Sequence, residues 1–173
     1  TTIAYDGIAL LVNPNNTVKN ISLEDVKKIY TGEITNWKDL GGEDAPIVVV
    51  SREEGSGTRD AFQEIVGYES EELTKDASIS DGSGAVKTTV AGNKNAIGFA
   101  SFEYIDDTVS ALSVNDVEPT AENVKAGDYK ISRPFLLVTS KDTLTDEGQK
   151  LIDFVLSSEG QQIVKDNKLI TIE

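Results

Sequence analysis

Short runs of consecutive apolar, largely β-branched residues alternate along this 173-residue chain with stretches whose apolar positions recur at helical spacing. Runs at 8–13, 47–51, 96–101 and 135–140, with a further one at 169–172, predict strands. They are too short and too apolar to be half-exposed antiparallel strands alone, and their alternation with amphipathic segments predicts an α/β fold. Ser22 followed by Asp25 resembles a capping box, after which Leu23, Val26, Ile29 and Tyr30 share one helical face up to Gly32. Thr35 and Asn36 open a short turn around Trp37 and Leu40. A helix over 58–66 buries Ala61, Phe62, Ile65 and Val66 as one stripe, and another over 83–91 carries Ala85, Val86 and Val90. The clearest helical pattern sets Gln149, Lys150 and Asp153 outward against Leu151, Ile152, Phe154, Val155 and Leu156, and continues through Ile163 and Val164. Gly41-Gly42, Asp81-Gly82 and Gly127-Asp128 mark turns. There is no internal repeat and no low-complexity tract. The chain starts abruptly in a strand, and the strand and helices from 134 onward have little sequence after them to pack against. Both ends therefore read as visitors to a second lobe.

Composition removes whole mechanism classes. There is no His, Cys or Met and one Trp, Trp37. Ser-His-Asp and Cys-His nucleophile systems, zinc sites of the usual N/S type, disulfide frameworks and thiol chemistry are all excluded. Thirty acidic against sixteen basic residues give a net charge of −14, which argues against a nucleic-acid binder that must displace phosphate counterions. No stretch reaches the roughly 18–20 apolar residues of a membrane span; the longest runs are 8–12 and 47–50. The opening Thr1-Thr2, in place of Met, reads as a processed or truncated product.

The densest chemical signal is Ser51-Arg52-Glu53-Glu54-Gly55-Ser56-Gly57-Thr58-Arg59-Asp60, between a predicted strand and a predicted helix. Gly55, Ser56 and Gly57 let backbone approach a ligand closely, and the first turn of the helix leaves N–H groups without intrahelical partners. Those donors and the positive end of the helix dipole suit phosphate, sulfate or carboxylate. Ser56 and Thr58 add hydroxyl donors, and Arg52 and Arg59 bracket the turn with guanidinium forks. The competing reading is a solvated turn capped by Ser56 or Thr58, with both arginines paired to Glu53, Glu54 and Asp60. The run is not a Walker loop, because it lacks the long glycine spacing and the Lys. Nor is it a serine-hydrolase elbow, because Glu54-Gly55-Ser56-Gly57 departs from Gly-x-Ser-x-Gly and no His is present.

SREEGSGTRDAF at 51–62, together with AYDGIALLVNP at 4–14, IYTGEITNWKDLGG at 29–42, NAIGFASFEYI at 95–105 and SRPFLLVT at 132–139, resembles the phosphate-binding proteins of Pst-type ABC transporters. These have the type II periplasmic binding protein fold, and the resemblance covers nearly the whole chain. It implies one complete lobe, a mixed β-sheet flanked by helices, plus segments returning to the other lobe. Residues 1–13 would be a hinge or crossover strand, 14–132 the anion-binding second lobe, and 133–173 a strand and helices of the first lobe. The implied function is a non-enzymatic, cofactor-free receptor that closes on inorganic phosphate and delivers it to a membrane permease. Its implied location is extracytoplasmic, periplasmic or lipid-anchored to the outer face of the cell membrane. Arg52, Ser56, Gly57 and Thr58 fall on the family's phosphate-contacting positions, with Arg59 as a further ligand, Gly55 in support and Glu54 as the partner of Arg52. Family members begin with a first-lobe segment that has no counterpart before Thr1. The rest of the phosphate shell, including the acidic acceptor for the proton of monohydrogen phosphate, is thus left to the full-length chain or another chain.

Alternative functions are a receptor for another tetrahedral oxyanion, an enzyme acting on phosphate esters, and a protein that kept the fold without the ligand. Other candidates read as structural. Asp81-Gly82-Ser83-Gly84, with no adjacent Arg, suggests a helix cap ahead of a second anion site, and Asp6 a solvated loop acid ahead of a hinge residue. Asp106-Asp107 and Glu69 to Glu72 lack calcium-loop spacing and read as solvated surface. Trp37, with Tyr30 and Leu40, reads as core.

Overall fold

A computed structural model describes residues 1–140 and 142–172. The chain opens in a long strand β1 (Thr2–Val12), followed by a two-residue strand β2 (Asn20–Ile21) and helix α1 (Leu23–Tyr30). Next come β3 (Val48–Arg52), α2 (Gly57–Val66), β4 (Ser78–Ser80), α3 (Ser83–Gly92) and β5 (Ala96–Ser101). Short strands β6 (Ser110–Ala111) and β7 (Ser113–Val114) lead to α4 (Ala121–Ala126), β8 (Ser132–Leu136), α5 (Asp146–Leu156) and α6 (Ser158–Asp166).

The main sheet runs β4-β3-β5-β1-β6, with β8 on the first half of β1. β3 is parallel to β4 and β5, whereas β1 is antiparallel to β5, β6 and β8. β1 changes partners along its length: residues 2–7 pair with β8, and residues 8–12 pair with β5. The second half is fully buried because side chains alternate between two cores. Ile8, Leu10 and Val12 face a cluster built with Val26, Ile29 and Tyr30 of α1 and Phe62 and Val66 of α2. Ala9 and Leu11 face Val50 together with Val86 and Val90 of α3. In the first core the ring of Phe62 stacks on Phe99 at 4.1 Å, and Tyr30 meets it edge-on at 4.9 Å. Trp37 is buried there as expected, donating Nε1–H to the Asn95 carbonyl at 3.0 Å. Ser22 caps α1 by accepting the Asp25 N–H.

Four readings of the apolar pattern are corrected. β1 extends back to Thr2, because β8 supplies hydrogen bonds that the apolar pattern does not encode. The predicted strand at 135–140 is displaced to Ser132–Leu136, since its pairing with β1 is set by the cross-strand register Asp6–Arg133 and Gly7–Ser132. The run at 169–172 forms no strand; only Ile170 bridges to Tyr5, through reciprocal backbone bonds of 2.8 and 2.9 Å. The C-terminal helical pattern is broken at Ser157, which caps α6 by accepting the Gly160 N–H. Within α5 only Ile152 is buried, and Leu151, Phe154 and, on α6, Ile163 are exposed, as are Leu136 and Val138. Lys141 and Glu173, which the reading of 133–173 includes, lie outside the described residues. Among the described residues no helix is long and apolar enough to cross a membrane.

Gly98 on β5 lets α3 approach the sheet: a Cβ there would lie 2.6 Å from Val86 Cγ1 and 3.1 Å from Val90 Cγ2. Gly98→Ala is expected to lower stability by about 1–3 kcal/mol in urea denaturation, as overpacking does. Gly84→Ala, whose added methyl would sit 3.8 Å from Tyr104, is expected to leave stability unchanged or slightly raised.

Candidate anion-binding site

The sheet delivers two helix starts side by side. β3 and β4 are parallel neighbours, with Arg52 opposite Ser80, so the turns leaving their C-terminal ends feed α2 and α3 at the same edge. In the first turn Gly55 takes φ +81°, where an added Cβ would meet no atom within 4 Å, a conformation that favours glycine. The chain then enters α2 through Ser56, whose Oγ accepts the Arg59 N–H at 3.3 Å. Among the described residues the amides of Gly57 and Thr58 have no acceptor. They form the exposed positive end of a ten-residue helix, the arrangement that binds oxyanions. Ser56 and Thr58 are both buried against this end.

Around these donors lie guanidinium groups in different states. Arg52 donates from Nε and Nη2 to the two oxygens of Glu53, both at 2.7 Å, and from Nη1 to Ser83 Oγ at 2.8 Å. This fork holds the Glu53 carboxyl down at a pKa of about 2, helped by the Gly82 N–H at 3.2 Å, and in turn raises that of Arg52. Arg59 is only 5% exposed, and its one side-chain bond runs from Nη1 to the Arg52 carbonyl at 3.1 Å. Its Nε has no partner, and no carboxylate pairs with it among the described residues. A buried cation without a counter-charge is costly, and an incoming anion would relieve that cost.

The residues at 52–59 thus come together, with changes to individual roles. Glu54 is exposed at the tip of the turn, and the carboxylate that holds Arg52 is Glu53. Glu53 wins because it meets both the guanidinium fork and the start of α3. The reading in which both arginines pair with neighbouring acids holds for Arg52, whose side chain is however only 11% exposed and not at the surface, and fails for Arg59. Ser83 lies within the same network, because strand pairing supplies the Arg that its own sequence neighbourhood lacks. Asp6 is not a solvated acid. It is 4% exposed, accepts the Ser101 hydroxyl at 2.5 Å and pairs with Arg133 at 3.0 Å. Arg133 was missed by sequence reasoning altogether, yet its Nη2 reaches Thr58 Oγ1 at 3.2 Å. Its sequence signal, an acid and a base on two segments that pair, is visible only once β1 and β8 are set in register. No group of three or more acidic residues among those described could hold a metal ion.

Because Glu53 titrates at about 2 instead of its ordinary 4.5, its contribution to stability is complete above pH 4.5 and lost as pH falls toward 2. Carboxyl NMR is expected to place its midpoint well below those of exposed glutamates, and Arg52→Ala to return it toward 4.5.

The model for the PBP superfamily domain matches residues 1–159. The chain is 39% identical over 175 residues to the phosphate-binding protein PstS of Bacillus subtilis, with 98% of this chain aligned. It spans 56% of the length of that relative. In the crystal structure of a substrate-binding protein assigned to a phosphate ABC transporter of Clostridium perfringens, solved with bound phosphate, the match is 61% identical. It covers all of this chain and 71% of that one at a TM-score of 0.89. An ABC-type phosphate transport receptor from Vibrio cholerae superposes at a TM-score of 0.93 with 34% identity, over 99% of this chain and 71% of that one. The chain belongs to the PBP superfamily and, within it, to the PstS branch.

Proposed function

We propose that this chain carries the phosphate-binding half-site of an extracytoplasmic receptor that supplies an ABC importer, and that it acts by binding and not by catalysis. The observation that carries the reading is the convergence of unpartnered Gly57 and Thr58 amides with a buried guanidinium, Arg59, that has no counter-charge. Every one of these groups is a donor or a positive charge, which fits a ligand that is all oxygen and negative. The phosphate bound by the Clostridium perfringens relative supports the same chemistry.

In this reading Gly57 and Thr58 donate backbone N–H groups, Ser56 and Thr58 add hydroxyl protons, and Arg52 and Arg59 supply charge. Gly55 shapes the turn. Residues 14–132 form the anion-binding lobe, 1–13 the crossover strand, and 133–173 a return to the first lobe. The exposed Leu136, Val138, Leu151, Phe154 and Ile163 support that division, since such an apolar group normally meets a partner surface. The first-lobe remainder comes from the full-length protein or another chain, the membrane permease receives the phosphate, and attachment is as a lipoprotein or by retention in the periplasm.

Titration with inorganic phosphate, followed by amide NMR, is expected to shift Ser56 to Arg59 first. Arg52→Ala is expected to weaken binding on the order of tenfold or more, the effect of losing a charge-assisted bond. Absence of any shift at millimolar phosphate overturns the reading, and a larger response to sulfate than to phosphate reassigns the ligand to another tetrahedral oxyanion.

A further inference from the structure

The chain has three arginines, Arg52, Arg59 and Arg133, and all three touch residues 52–59. The third arrives from 75 residues beyond Thr58 in sequence. Arg133 stands on β8 directly opposite Asp6 on β1. Its Nε and Nη2 both donate to Asp6 Oδ2, at 3.3 and 3.0 Å, and its guanidinium lies 5.7 Å from the centre of the Phe135 ring. Asp6 is buried and fixed on its other oxygen by Ser101. One edge of the guanidinium is therefore locked.

The other edge faces the start of α2. Nη1 makes no hydrogen bond among the described residues and sits 3.2 Å from where a Cβ on Gly57 would lie. Nη2 also donates to Thr58 Oγ1. A hydroxyl has one proton to give, and because its oxygen accepts from Arg133, Thr58 keeps that proton to donate elsewhere. Arg133 thus places a free N–H beside the unpartnered start of α2. Its side chain remains 28% exposed, so the group is not sealed in the core.

We propose that Arg133 is a binding residue of the anion site: Nη1 donates to an oxygen of the anion held by the Gly57 and Thr58 amides, while Nε and Nη2 stay docked on Asp6. The proposal rests on the phosphate reading above. It extends the site from one loop to the strand pair β1–β8, so that ligand contact joins the start of α2 to the C-terminal segment.

The test is calorimetric titration of the protein with inorganic phosphate, comparing wild type, D6N/R133Q, R133K and R52A, with melting in phosphate-free buffer to confirm folding. D6N/R133Q replaces the buried ion pair with an amide pair and leaves no lone charge behind. A Lys at 133 can serve Asp6 but lacks the fork to serve an anion as well. Phosphate affinity is expected to fall about 10- to 100-fold in both variants, the worth of a hydrogen bond between charged groups. The Arg133 side-chain N–H resonances are expected to shift on phosphate addition in wild type. An affinity within twofold of wild type in either folded variant, alongside weakened R52A, overturns the role of Arg133 and leaves the phosphate site standing. No heat and no amide shift in wild type overturns the phosphate site itself, and the Arg133 proposal falls with it.

Discussion

The architecture depends on one strand having to be buried on both faces. Residues 8–12 of β1 are entirely inaccessible, and a strand of that kind needs an apolar layer on each face. α1 and α2 must close one face and α3 the other. With Phe62 of α2 stacked on Phe99 in the first core, the helix is pinned at its middle and its N-terminus is left projecting beyond the end of β3. The uncapped amides are in that sense a by-product of core packing: the apolar stripe fixes where the helix lies, and that placement fixes where its positive end opens.

Much of this was legible in the sequence because it is local. The apolar runs located β3 and β5 to within a residue, capping chemistry placed α1, and the stripe Phe62–Val66 placed α2. Gly55, Ser56 and Gly57 announced a turn into a helix through residue type alone. What could not be read was set by contacts far apart in the chain. Asp6 and Arg133 lie 127 residues apart, and neither looks unusual without the register that sets them opposite each other. The start of β8 was missed for a related reason: Ser132, Arg133 and Pro134 lack an apolar pattern, and their strand conformation is dictated by β1. Glu53 and Glu54 are alike in type and adjacent, so only the position of Gly82 on the next turn distinguishes the one that holds Arg52.

Charge illustrates the difference between a composition and a location. A net charge of −14 argues against anion binding on composition alone, yet most of it is surface acid screened beyond about 8 Å at physiological salt. The three guanidinium groups converge around one turn, where Glu53 orients Arg52 and Asp6 orients Arg133 without filling every donor, and Arg59 has no acidic partner among the described residues. Thr58 accepts from Arg133, Ser83 from Arg52 and Ser56 from the Arg59 amide. Each hydroxyl oxygen accepts one of these bonds, which leaves its single proton to be donated elsewhere.

Gly55, with its φ of +81°, gives the site an uneven susceptibility to mutation. The Gly57 and Thr58 amides belong to the main chain, and replacing the side chains at those two positions cannot delete an N–H unless proline is introduced. What inheritance must preserve there is a backbone path, and that path runs through a residue with no side chain. A methyl at position 55 would meet no atom within 4 Å and would still strain the left-handed turn that leads into both donors. A position consequential for recognition can therefore be one with room to spare around it.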